Sequence, residues 1–283
     1  MKLKKSFFVE CIALILVLVM GTILFNSGNE ISTDREELSF NISEFMQIGQ
    51  SIVLDEFKMH SYLDSDQLFE ISISQRTIYL TFDDGPSSNV TPQILDILKK
   101  YNIKATFFIN DFRGREDIVR RTIAEGHTLG NHTLSHYYPW IYRSEENFIR
   151  NVDALNRKVK NEFGIDMDLL RFPGGTSNTV SRRYNRGIMT RLVPVMKERG
   201  FSIFDWNAVN NSDIRGTDAE EAFKQAISTG RDRDFIILLM HDADHHQVTA
   251  DALEKIIKYY IDLGYRFNVL SSDVPMLIKP VAN

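Results

Sequence analysis

From Arg76 onward the chain alternates between two hydrophobic rhythms. Short apolar runs, TIYLTF, ATFFI, TLGNH, LLRFP, SIFDW, FIILLMH and RFNVL, read as strands. Between them lie TPQILDILKKY, REDIVRRTIAEG, SEENFIRNVDALNRKVKNEFG, GIMTRLVPVMKERG, TDAEEAFKQAIS and TADALEKIIKYYIDLG. These carry apolar residues at helical spacing, and several end in Gly, a usual helix stop. The alternation predicts an α/β fold, a parallel sheet with helices outside it. About seven strands fit a distorted or incomplete (β/α) barrel, where chemistry gathers at the C-terminal strand ends. Asp83, Asp84, His132, Arg171, Asp205 and His241 fall at those ends.

Ahead of this pattern stands a different one. Lys2, Lys4 and Lys5 precede an apolar run from Phe7 to Phe25, interrupted only by Glu10. As a helix it spans about 28 Å, close to a bilayer's hydrocarbon core. The lysines predict a cytoplasmic N-terminus with the rest of the chain outside. The run therefore predicts an N-terminal membrane helix, a single-pass anchor in the cell membrane; a cleaved signal peptide and secretion are the alternative. The sequence divides into an anchor or signal at 1–25, a polar stem at 26–75, the alternating domain at 76–275 and a tail at 276–283.

Composition narrows the chemistry. The formal charge of -5 gives no argument for a nucleic-acid partner, and no protein partner is implied. The one cysteine, Cys11, lies in the apolar run, so an intramolecular disulfide, a cysteine zinc site and a thiol nucleophile in the domain are all excluded. A metal would have to use His, Asp or Glu. Of seven histidines, His127, His132 and His136 form one group and His241, His245 and His246 another.

Two stretches concentrate the candidate chemistry. TFDDGPSSN puts Asp83 and Asp84 side by side where a strand ends. Adjacent strand residues face opposite ways, so both acids serve one site only if the chain bends, and Gly85-Pro86 supplies a bend. A surface turn is the alternative, since Asp-Gly is common turn chemistry. In GNHTLSH, His132 and His136 stand four apart; on a helical turn both would share a face and could bind one ion. With a carboxylate they would make a His2Asp set with open positions, suited to a catalytic metal. Two unrelated surface histidines would read the same way. His127 reads as a packing residue at a strand start near the site, and His245 and His246 as solvated loop residues.

Together these stretches resemble the NodB-homology polysaccharide deacetylases, carbohydrate esterase family 4, over residues 76 to about 275. TFDDGPSS is similar to the family's first motif, HTLSH to the second, RFPGG to the third, the region DWNAVNNSD to the fourth and LLMH to the fifth. RFPGG is found in the subgroup that resembles bacterial peptidoglycan N-acetylglucosamine deacetylases.

The resemblance implies a metal-dependent hydrolase that removes N-acetyl groups from cell-wall glycan and releases acetate. Chitin oligomers, an exopolysaccharide or acetylated xylan are alternative substrates, and a non-catalytic wall-binding protein is the alternative of another class. It implies Asp84, His132 and His136 as ligands of a divalent metal, zinc or cobalt. Asp83 would be the general base, Arg171 its partner and His241 the general acid. Asp213, or else Asp205, would tune His241. Leu239 would line the acetyl pocket, and the backbone near Gly174 would supply an oxyanion donor. Many members carry Tyr where this chain has Gly174, and Asp-Trp where it has Asp213-Ile214; Trp206 is the expected replacement wall.

Overall fold

The computed structural model describes residues 76–282. The anchor and stem assignments lie outside these residues. Among the described residues, no helix is long and apolar enough to cross a membrane.

The sheet is built on β1 (Thr77–Asp83). Parallel partners flank it: β7 (Phe235–His241) on one side, and β2 (Thr106–Ile109) and β8 (Arg266–Asn268) on the other, β2 along its C-terminal half and β8 along its start. β3 (Thr128–Asn131), β4 (Leu169–Leu170) and β5 (Ser202–Ile203) continue beyond β2, and β6 (Ala208–Val209) follows β7. All the ladders are parallel, and none joins β5 to β6 among the described residues. The result is a curled, incomplete barrel. It has eight strands, against about seven read from the pattern; the extra one is the two-residue β6.

Six longer helices fall where the periodicity placed them: α1 (Val90–Lys100), α2 (Glu116–Ala124), α4 (Glu145–Phe163), α5 (Ile188–Glu198), α6 (Ala219–Gly230) and α7 (Gln247–Asp262). The four-residue α3 (Tyr138–Ile141) was not foreseen. Local chemistry sets the bounds of α4. Ser144 accepts the Asn147 N–H at its start, Glu145 and Glu146 favour the positive end of the dipole, and Gly164 closes it at φ 74. Phe148, Val152, Leu155 and Val159 then form its buried stripe.

Strand alternation sorts the barrel into two faces. Ile78, Leu80 and Phe82 of β1 join Ile236, Leu238 and Met240 of β7 in the core that includes buried residues of α1 and α7. Tyr79 and Ile237 point the other way, into a smaller cluster with Phe108, Leu169, Phe204 and Leu270. Thr81 pairs with Leu239 and Asp83 with His241 in the same register, so polar groups stand above that apolar layer on the inner face.

The segment assigned to a tail is joined to the barrel. Asp205 N–H donates to Leu277 O at 2.7 Å, and Lys279 N–H to the Asp205 carboxylate at 2.7 Å.

Candidate active site

β1 ends at Asp83, and Asp84 has φ 74, a left-handed conformation that Asp tolerates better than most residues. The reversal thus begins at Asp84, one residue before Gly85-Pro86. It turns the Asp84 carboxylate to the same side as Asp83: Asp84 Oδ1 is 3.5 Å and Asp83 Oδ2 3.7 Å from His132 Nε2. Gly85 has to be glycine, because a Cβ there would strike the Asp242 carboxylate.

Asp83 is buried, and its Oδ1 accepts from Arg171 Nη1 at 2.8 Å. Burial pushes the Asp83 carboxyl above its ordinary pKa, with Arg171 and His241 opposing that shift. Arg171 is itself fully buried and fully engaged. Its guanidinium also donates to Thr81 Oγ1, Phe204 O and Asp205 O, and lies over the Phe108 ring. Gly130 leaves the space that the Phe108 ring fills.

His132 lies just past β3, on its inner face. Its Nδ1 stands 2.8 Å from Arg171 O. The carbonyl can only accept, so Nδ1 carries the proton and Nε2 is left with a lone pair facing Asp84. Burial holds the imidazole neutral, down to about 4. His136 Nε2 is also 3.5 Å from Asp84 Oδ1. The two histidines do not share a helix. They converge through a loop in which Thr133 has φ 69, the Asn131 side chain accepts the Thr133 N–H, and Asn110 donates to the carbonyls of His132 and Thr133. The helical turn starts only at Tyr138.

One atom of each of Asp84, His132 and His136 lies within 4.8 Å of the others. Asp84 Oδ1 is buried without any hydrogen-bond partner, although a carboxylate oxygen so placed normally has one. Against burial, the surrounding histidines hold Asp84 below its usual range. An ionised, orphaned oxygen facing the His132 Nε2 lone pair and the His136 imidazole fits a divalent cation.

His241, opposite Asp83 across the ladder, completes the cluster. Burial lowers its pKa, with Asp83 and Asp84 opposing. Its ring partner is neither expected acid. Ser212 Oγ lies 3.1 Å from His241 Nδ1 and accepts the His241 N–H at 3.2 Å. Asp213 is exposed and acts on His241 only at a distance. Asp205 accepts from Thr176 N–H and Thr176 Oγ1, pinning the loop after the third motif.

Gly174 has φ 78, and a Cβ on it would stand 2.8 Å from the Tyr138 hydroxyl. Leu239, buried on β7, shares its face with His241. Trp206 stands beside the third-motif loop: its ring edge is 2.9 Å from where a Gly175 Cβ would be, and its centre 5.8 Å from Arg171 Cζ. Lys279 Nζ covers the ring at 4.0 Å, and it lines a cavity of about 350 Å³ to which none of the clustered acids and histidines contributes. His127 packs edge-on against Phe107, at the far end of β3 from His132 rather than near the site. His245 is exposed, but His246 is buried, its ring 5.0 Å from that of His241 and its Nδ1 2.9 Å from Ser212 O.

Sequence reasoning missed Ser212, His246, Tyr138 and Asp242. Asp242 is buried beneath Gly85, accepts from Thr91 Oγ1 at 2.6 Å and is pushed by burial up to about 7. Its position directly after His241 was the available signal.

The sequence matches the polysaccharide deacetylase family over residues 71–193. A peptidoglycan-N-acetylglucosamine deacetylase of Bacillus cereus is 32% identical over 209 residues, covering 72% of this chain and 90% of that one. A bifunctional xylanase/deacetylase of Pseudobutyrivibrio xylanivorans is 32% identical over 202 residues, 70% of this chain but 30% of that one. Among solved structures, the catalytic domain of a peptidoglycan N-acetylglucosamine deacetylase from Eubacterium rectale superposes with TM-score 0.70 at 37% identity, covering 74% of this chain and 94% of that one.

Proposed function

The chain belongs to the polysaccharide deacetylase family, hydrolases of N-acetyl amide bonds, and from that premise we propose that it deacetylates amino sugars of a cell-wall glycan of the peptidoglycan type and releases acetate. The observation that carries this reading is the placing of two differently partnered acids in one cluster: Asp83 on Arg171, and Asp84 free to face His132 and His136.

Asp84, His132 and His136 would hold the divalent cation, zinc on this donor set, which when bound polarises the acetamide carbonyl and lowers the pKa of water. Asp83 takes the proton of the attacking water on Oδ2, since Oδ1 is engaged by Arg171. Its raised pKa makes it a better proton acceptor than an ordinary surface carboxylate. A backbone N–H near Gly174 would be the donor to the oxygen on which charge develops. His241 acts in its protonated form, which Asp83 and Asp84 favour against burial: it gives the Nε2 proton to the departing amine and is left neutral, and Leu239 walls the methyl group.

The apolar run at Phe7–Phe25 supports a membrane-anchored enzyme acting outside the cytoplasm. Mature protein free in the medium would contradict the anchor. For the reaction, the test is acetate release from peptidoglycan glycan strands, N-acetylglucosamine oligomers and acetylated xylan, each with added zinc and with chelator. Zinc-dependent release greatest on peptidoglycan is the expected result; release from xylan alone would overturn the substrate.

A further inference from the structure

We propose that Tyr137, Trp140 and Tyr184 form an aromatic wall on which neighbouring sugar rings of the glycan lie, with Tyr138 facing the sugar that reacts. The inference rests on the glycan reading and extends it from the reacting unit to the polymer. Among the described residues the large exposed aromatic side chains are these three, at 63%, 41% and 37% exposure. Contiguous exposed apolar surface beside polar groups marks a binding groove more often than chance.

The two segments that carry them are stitched into one rim. Asn185 Nδ2, next to Tyr184, donates to Arg143 O at 3.1 Å, and Tyr142 Oη ties the same α3 segment to Pro173 O of the third motif at 2.7 Å. Tyr138 joins this rim to the catalytic cluster. Its ring centre is 5.1 Å from that of His136, and its hydroxyl overhangs Gly174. That hydroxyl makes no hydrogen bond within the described residues, so it is available to a ligand. It also occupies space that a side chain at position 174 would need. An aromatic wall missing from the third motif is thus supplied from α3.

The chemistry of the rim selects its occupant. The stretch YYPWIY at 137–142 has no charged residue, while Arg182, Arg183 and Arg186 flank Tyr184, so the ring faces suit a pyranose and the arginines suit acidic groups along the same polymer. A pyranose presents an apolar C–H face and a hydroxyl edge; an aromatic ring covers the first and a phenol meets the second. The wall starts at His136 and so continues the site rather than forming a separate one.

The test compares kcat/KM on a hexamer and a dimer of N-acetylglucosamine for the wild type, Trp140→Ala, Tyr184→Ala, Trp140→Phe and, as a remote exposed control on α7, Ile261→Ala. The hexamer-to-dimer ratio is expected to fall about tenfold in each aromatic-to-alanine variant, to recover largely in Trp140→Phe, and to stay unchanged in Ile261→Ala. Hexamer affinity by calorimetry should weaken in the same order. An unchanged ratio in both alanine variants overturns the wall. A wild type that releases no acetate from any N-acetylated glycan overturns the underlying reading instead, and hexamer affinity then decides the wall alone: weakening in Trp140→Ala supports it, and no change refutes it.

Discussion

Ser212 Oγ accepts the backbone N–H of His241 and lies 3.1 Å from Nδ1 of the same residue. Having accepted one proton, the hydroxyl still has its own to give, and Nδ1 is the only acceptor it meets among the described residues. It can give that proton to Nδ1 of the neutral ring or accept one from Nδ1–H of the charged ring, and in either state Nε2 is left for the substrate. A carboxylate in that place would favour a proton on Nδ1 and the charged ring. The partner here fixes orientation without adding charge.

Ser212→Ala should lower kcat about tenfold while leaving KM within twofold, because one hydrogen bond of about 1–1.5 kcal/mol orients a group that acts in the chemical step. Ser212→Thr keeps the hydroxyl and should restore most of the rate. Steady-state kinetics on a soluble oligomer decides it; a rise in KM with unchanged kcat would point to substrate binding instead.

Arg171 spans both halves of the site, holding Asp83 through its guanidinium and His132 through its carbonyl. Arg171→Met leaves Asp83 buried without a counter-charge and should cost about 3–5 kcal/mol in urea unfolding. Adding Asp83→Asn removes the stranded charge and should recover much of that loss. A double variant no more stable than Arg171→Met would show that the damage lies in the lost carbonyl contacts and not in the charge.

His127 predicts a pH dependence independent of the catalytic cluster. Burial, aided by Lys104 and opposed by Glu125, pushes its imidazole from 6.5 down to about 4. The unfolded chain binds the proton first as pH falls, so this contribution to stability is complete above about pH 6.5 and is lost towards pH 4. The loss amounts to about 3 kcal/mol at 1.36 kcal/mol per pKa unit. His127→Gln does not titrate. Its deficit against the wild type in urea unfolding should shrink between pH 7 and pH 4.5; a constant deficit would contradict the assignment.

Much of this was legible because it follows from periodicity. Tyr79, Thr81 and Asp83, like Ile237, Leu239 and His241, alternate onto one face, and the parallel register then sets Asp83 beside His241. What escaped depends on backbone detail that spacing does not encode. β6 is two residues long and gives no alternation to detect. The His132–His136 approach is made by Thr133 at positive φ and two asparagines, not by a helix. In the loop after β6 a shift of one residue exchanges Asp213 for Ser212, and the sequence favoured the charged neighbour. Tyr138 is visible only once α3 folds over Gly174.

The central claim is that Asp83 and Asp84, adjacent in sequence, do different work, and metal content measured together with turnover on Asp83→Asn and Asp84→Asn tests it most directly. Asp83→Asn should retain the metal and lose about 10²–10⁴ in kcat, as removal of a general base does. Asp84→Asn should lose the metal, and activity with it, because one of three protein ligands is gone. Equal loss of metal from both variants would contradict the division, making both acids ligands and leaving the base to be sought in His241.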